Sequence, residues 1–121
     1  MPRVIHFEIP MDNNERATTF YSSVFGWKIE KSPFMDYWLA TTGPDNEPGI
    51  NGALAPRADT MKTTTNTVGV PSVDEFLKKI AAAGGKAVTP KMPIPGIGYF
   101  AYCQDTEGNL FGIMQDDKSA K

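Results

Sequence analysis

Residues 27–55, WKIEKSPFMDYWLATTGPDNEPGINGALA, decide the fold. They hold three strand-like runs, Trp27–Glu30, Asp36–Thr41 and Ile50–Ala55, the last two parted by the turn formers Gly43-Pro44 and Pro48-Gly49. Ahead of them stand a strand-like run that ends at Ile9-Pro10 and an amphipathic stretch with apolar residues at Ala17, Phe20, Tyr21, Val24 and Phe25. That spacing follows the i, i+3, i+4, i+7, i+8 rule of one buried helical face. A ferredoxin-like βαββαβ order leaves room for two strands between its helices, not three. The unit read here is therefore βαβββ.

The rest of the chain repeats it. Over residues 64–115 a second strand ends at Val70-Pro71, and a second helix carries Val73, Phe76, Leu77, Ile80 and Ala81 on one face. Each helix opens on side chains able to satisfy its orphan N–H groups, Asp12-Asn13-Asn14-Glu15 and the stronger capping box Ser72-Val73-Asp74-Glu75. Gly26 and the pair Gly84-Gly85 supply the left-handed exits, and strand-like runs follow at Trp27–Glu30 and Lys86–Thr89. The expected architecture is α+β: one domain over residues 1–121, made of two βαβββ modules at about residues 3–56 and 64–115, with sheets curled around a cavity.

With 121 residues, 40% of them hydrophobic and 21% charged, the chain has the composition of an ordinary globular domain. A net charge of −2 with scattered basic residues leaves no electrostatic footprint for nucleic acid or an anionic membrane. No run approaches the roughly 20 apolar residues of a membrane span, and the start, Met-Pro-Arg-Val-Ile-His, lacks a signal-peptide core. A cytoplasmic location is expected, and the single Cys103, which has no intramolecular partner, agrees with a reducing compartment. The segment 116–121 reads as disordered.

Alternation along the strands separates helix-facing residues from those on the other face. In the first strand Ile5, Phe7 and Ile9 are expected under the helix, with His6 and Glu8 together on the opposite face. In the second half Val68, Val70, Phe111 and Ile113 pack, leaving Thr65, Thr67, Gly69, Leu110, Gly112 and Met114 open. His6, the sole histidine, with Glu8 beside it, forms a candidate general base with an orienting carboxylate. The other reading of the pair is a surface or interface histidine bonded to a neighbour. Trp38, Tyr37, Tyr99, Tyr102, Met35 and Met114 are candidate aromatic or thioether walls for a flat ligand, with core packing as the default role. Cys103 lies in an apolar-aromatic run and reads as a small buried residue rather than a nucleophile. The loop 90–98, stiffened by three prolines, suits a lid, a dimer contact or a crossing.

These residues resemble the vicinal oxygen chelate superfamily, which includes glyoxalase I, extradiol dioxygenases and the fosfomycin- and bleomycin-resistance proteins. The resemblance is carried by His6-Phe7-Glu8-Ile9-Pro10, by Phe20-Tyr21-Ser22-Ser23-Val24-Phe25-Gly26-Trp27, by the helix from Val73 to Gly85 and by Asp105-Thr106-Glu107-Gly108-Asn109-Leu110-Phe111-Gly112. It implies the paired βαβββ fold and, in metal-dependent members, four strand residues that present His or Glu to a divalent metal. Those positions fall on His6, on Asn51 or Gly52, on Thr65 or its neighbour, and on Gly112. Only His6 is a conventional ligand, so no metal cofactor is expected, and none of the residues is assigned to metal.

The resemblance thus implies a small-molecule-binding protein in which His6, Glu8, Trp38, Asn51, Thr65, Thr67, Tyr99, Tyr102 and Met114 contact the ligand. A bleomycin-like bulky cation gains little support from a charge of −2. The alternatives are a lyase or isomerase of the lactoylglutathione-lyase type, with His6 as base or with a recruited divalent metal, and a ligand-free dimeric accessory module. Homodimerisation is expected, because members of this length usually pair and unpaired sheet edges favour association.

Overall fold

A computed structural model describes residues 2–121. Its elements run β1 (Arg3–Met11), α1 (Asn14–Phe25), β2 (Lys28–Lys31), β3 (Trp38–Thr41), β4 (Gly52–Pro56), β5 (Thr65–Gly69), α2 (Val73–Ala82), β6 (Lys86–Ala87), β7 (Met92–Ile94), β8 (Gly98–Gln104) and β9 (Leu110–Asp116). The architecture is the expected α+β one, βαβββ followed by the same motif with one added strand, β7. The chain divides into two compact units: His6–Thr65, and Asn66–Lys121 together with the residues up to Ile5.

In the α1 unit, β1 pairs parallel with β4, in the register Phe7↔Gly52 through Met11↔Pro56. β3 runs antiparallel between β4 and β2. Asn13 starts the helix, its Oδ1 accepting from the Arg16 N–H, and Gly26 ends it at φ 73°, where a side chain would be strained. The helix covers a core of Met11, Ala40 and Leu54, against which Ile9, Ala17, Tyr21, Trp27, Ile29 and Trp38 pack.

The sequence pattern overstated this helix. No residue of α1 is buried, and Phe20, Val24 and Phe25 are 54%, 56% and 59% exposed. Of its five apolar positions, Ala17 and Tyr21, one turn apart, pack on the core. Ile5, expected beneath the same helix, instead lies against Gly69, its Cδ1 3.1 Å from where a Cβ would stand.

In the α2 unit, β5 pairs parallel with β9, β9 antiparallel with β8, and β8 antiparallel with both β6 and β7. Ser72 Oγ accepts from the Glu75 N–H, as the capping box predicts, and Gly84 takes the left-handed exit at φ 99°. Here the amphipathic pattern holds: Val73 is fully buried, and Phe76, Leu77 and Ile80 pack on Val70, Ala101, Cys103 and Ile113.

One detail is added and one expectation is corrected. The proline-rich loop contains β7, whose Pro93 faces Tyr99 in an outlying strand that pairs only with β8 and so loses little from the missing N–H. The end of the chain is ordered: Asp117 donates its N–H to Ile97 O, Ala120 O accepts from the Gly96 N–H, and Ala120 is buried. Its polar composition hid these backbone bonds.

Candidate functional site

The strand registers sort the candidate residues onto two faces. In the α1 unit, Leu54 lies level with Ile9 and Trp38 beneath the helix, while Ala53 lies level with Glu8 and Leu39 on the other side. His6 and Glu8 therefore share the helix-free face. Trp38 does not join them, since it packs into the helix-side core, with Lys31 Nζ 5.6 Å from its ring.

His6 Nε2 lies 2.7 Å from Tyr37 Oη, and the two rings stack at 6.3 Å and 15°. With Nε2 unprotonated the tyrosine hydroxyl donates to it. Burial lowers the His6 pKa from its ordinary value, while the Glu8 carboxylate pulls it back upward. A neutral, hydrogen-bonded imidazole is a competent proton acceptor near neutral pH. Glu8 itself is only 3% exposed. The strand reading found His6 and Glu8 but did not single out Tyr37 from the other aromatic residues. Tyr37 lies 31 positions from His6, and only the folded hairpin brings them together.

Asn51 stands just before β4, where its Oδ1 accepts from Thr42 N at 2.9 Å and from Thr42 Oγ1 at 3.3 Å. Thr42 Oγ1 donates a shorter bond, 2.6 Å, to Ile50 O. The amide therefore latches the base of the loop 42–51. Thr65 is buried, and its hydroxyl donates to Thr63 O.

In the α2 unit the helix-free face carries Thr67, Gly112 and Tyr102 in one row and Gly69, Met114 and Phe100 in the next. Thr67, Tyr102 and Met114 are thus brought onto one surface. Tyr99 is not: it packs on the α2-side core, with Lys91 Nζ 4.8 Å from its ring. Cys103 is fully buried on that same side, and burial raises its thiol pKa, which opposes thiolate chemistry.

Thr67 Oγ1 is buried and has no hydrogen-bond partner among the described residues. A buried unpaired hydroxyl costs roughly 1–3 kcal/mol. Beside it, a Cβ added to Gly112 would meet Phe100 Cζ at 2.5 Å, so the phenyl ring fills the place of the missing side chain. Phe100 is the residue of this face that alternation alone gave no reason to select.

The donors at the four implied metal positions are one imidazole already bonded to Tyr37, an amide oxygen held by Thr42, a hydroxyl bonded to Thr63, and a glycine. Gly52, the other reading of the second position, faces α1, with the Phe7 ring 2.5 Å from a built Cβ. Neutral, engaged donors of this kind do not fit a divalent cation. Among the described residues no group of three or more His, Cys, Asp or Glu side chains converges.

The motif Asp105-x-x-Gly108-Asn109 has a local task. The Asp105 carboxylate accepts from the N–H groups of Glu107 and Asn109 and from Asn109 Nδ2, and Gly108 turns at φ 85°. These bonds, those from Asn109 foremost, hold the Asp105 pKa below its ordinary value. The motif staples the β8–β9 turn.

Comparison with known proteins gives a consistent picture. Residues 3–43 match the family described as "Bleomycin resistance protein-like N-terminal". A Mycobacterium bovis protein bearing the glyoxylase name CFP32 is 24% identical over 116 residues, 92% of this chain and 44% of that protein. The chain thus spans less than half the length of that relative. A glyoxalase/bleomycin resistance protein/dioxygenase superfamily member from Vibrio splendidus superposes with a TM-score of 0.67 at 16% identity, over 97% of this chain and 100% of that one. Methylmalonyl-CoA epimerase from Streptomyces coelicolor, in complex with 2-nitronate-propionyl-CoA, superposes with a TM-score of 0.65 at 17% identity, over 96% and 98%.

Proposed function

We propose that this chain, a glyoxalase/bleomycin-resistance-like protein of the vicinal oxygen chelate superfamily, binds a small organic molecule on the strand faces turned away from its helices, without a metal. The observation that carries the reading is the Thr67 hydroxyl, buried on the helix-free face of the α2 unit with no hydrogen-bond partner among the described residues. A protein interior gains nothing from such a hydroxyl unless it meets a partner, and a bound ligand is one source of that partner. The acyl-CoA analogue held by the Streptomyces neighbour supports small-molecule binding on this fold. It does not name this chain's ligand.

A second reading is favoured by one contact. The Tyr37–His6 hydrogen bond next to Glu8 is an arrangement suited to moving a proton, so an isomerase- or lyase-type proton transfer with His6 as base stands as the alternative. A homodimer in the cytoplasm fits both readings. The exposed apolar surface of α1 and the free Cys103 support it.

A thermal-shift library, with nickel, zinc, manganese and iron included, tests the proposal, since any ligand selective for the folded state raises the melting temperature. An organic ligand whose shift is reduced in His6→Ala is the expected result. Stoichiometric retention of a divalent metal would overturn the metal-free reading. Turnover of the ligand, abolished in His6→Ala, would promote the second reading over the first.

A further inference from the structure

Three features coincide on the helix-free face of the α2 unit. Thr67 is 2% exposed, with its hydroxyl unpartnered among the described residues. Directly across the ladder stands Gly112, where an added Cβ would meet Phe100 Cζ at 2.5 Å, Phe100 Cε1 at 2.8 Å and Thr67 Oγ1 at 2.9 Å. The Phe100 ring, in turn, meets Tyr102 edge to face at 4.7 Å and 83°. Ring edge and hydroxyl thus border the same space, the one a side chain at 112 would have occupied.

Valine at position 67 would fill the same volume and bury no polar atom. A buried hydroxyl without a hydrogen-bond partner is a standing cost, and such costs collect where a ligand later supplies the partner. The Phe100 ring stands over a glycine, so side-chain rotation alone can move it aside.

We propose that Thr67 is the recognition group of a small subsite that the Phe100 ring fills until a ligand displaces it. The moiety it takes is neutral, flat and about the size of one ring, with a single hydrogen-bonding oxygen, a carbonyl or a phenol. Ring size follows from the phenyl edge now in place, and flatness from the Phe100–Tyr102 pair, which offers an aromatic wall. Neutrality follows because one hydroxyl cannot offset the burial of a charge. The inference rests on the small-molecule reading above and specifies part of the ligand.

The test uses the full chain and four probes: acetophenone, phenol, ethylbenzene and benzoate. Amide chemical shifts of Thr67 and Gly112 are followed by NMR during titration of the wild type, Thr67→Val and Phe100→Ala. Acetophenone and phenol are expected to shift both amides and to bind about tenfold more tightly than ethylbenzene, the worth of one hydrogen bond. Benzoate is expected to bind more weakly than either. Thr67→Val should erase the preference over ethylbenzene without lowering the melting temperature, and Phe100→Ala should tighten both oxygen-bearing probes. A preference that survives Thr67→Val would mean that another group recognises the oxygen, and a melting temperature lowered by that substitution would mean that the hydroxyl already has a partner in the folded sheet; either would overturn the proposal. So would silence of both amides in the wild type and in Phe100→Ala. A library hit dependent on His6 would, in any of these cases, leave the broader small-molecule reading intact.

Discussion

At His6, burial and charge pull in opposite directions, and burial wins. The folded imidazole therefore binds its proton less readily than the unfolded one, whose pKa is about 6.5. The unfolded chain then holds more protons across the window that starts near 6.5 and extends down to the folded value, so acidification through it costs stability. The melting temperature is expected to fall from pH 7.5 to pH 5.5. In His6→Gln, which keeps a hydrogen-bonding side chain for Tyr37 but does not titrate, the fall should be smaller. Equal slopes for the two proteins in differential scanning calorimetry would show that His6 is not the group responsible. Asp105 carries the opposite sign. Its folded pKa lies below the ordinary 3.8, so the stability it contributes is present above that value and is lost as the pH falls through the folded one. Asp105→Ala is expected to lower the melting temperature at pH 7, with the difference from wild type shrinking below pH 3.

At the scale of elements, the two helices show what a sequence pattern conveys and what it omits. Both present five apolar residues at helical spacing, and both form where the pattern places them. The pattern cannot tell how wide a sheet awaits each face. Val73 meets a broad core and is fully buried, whereas Phe20 stands clear of one. Val73→Ala is expected to cost roughly 1–2 kcal/mol, about 0.8 kcal/mol for each buried carbon removed. Phe20→Ser should stay within about 0.5 kcal/mol for the isolated chain, as surface substitutions do. Chemical denaturation of both variants decides it, and a large loss in Phe20→Ser would mean that its surface is covered in solution, as the proposed dimer would require. Strand alternation was the most legible signal, because period two fixes the face whatever lies above it. It placed His6 with Glu8, and Thr67 with Gly112 and Met114. Trp38 and Tyr99, selected for chemistry rather than parity, fell on the helix side, and alternation could not pair His6 with Tyr37, whose contact depends on the fold.

For the whole molecule, the repeat read in the sequence and the compact units of the structure are cut at different places. The repeat restarts after residue 56, but contacts assign the chain up to Ile5 to the α2 unit and divide the remainder after Thr65. The long first strand explains the offset: its later residues, Phe7–Met11, pair with β4, while Ile5 covers Gly69 on β5. A duplicated sequence is thus bound at its start to its second copy, and no periodicity in the residues announces that. The consequence is measurable. Ile5 is 41% exposed and covers a glycine, so Ile5→Ala should cost about 1 kcal/mol or less in overall stability. Local opening is a more sensitive reporter than global unfolding, because free energies of opening vary along a chain. Amide hydrogen exchange in Ile5→Ala is expected to quicken over Asn66–Gly69, in the second repeat, and to leave α1, only eight residues downstream of Arg3–Met11's Ile5 neighbour His6, unchanged. Faster exchange in α1 with no effect in β5 would instead place residues 3–5 with the first repeat, where the sequence alone had put them.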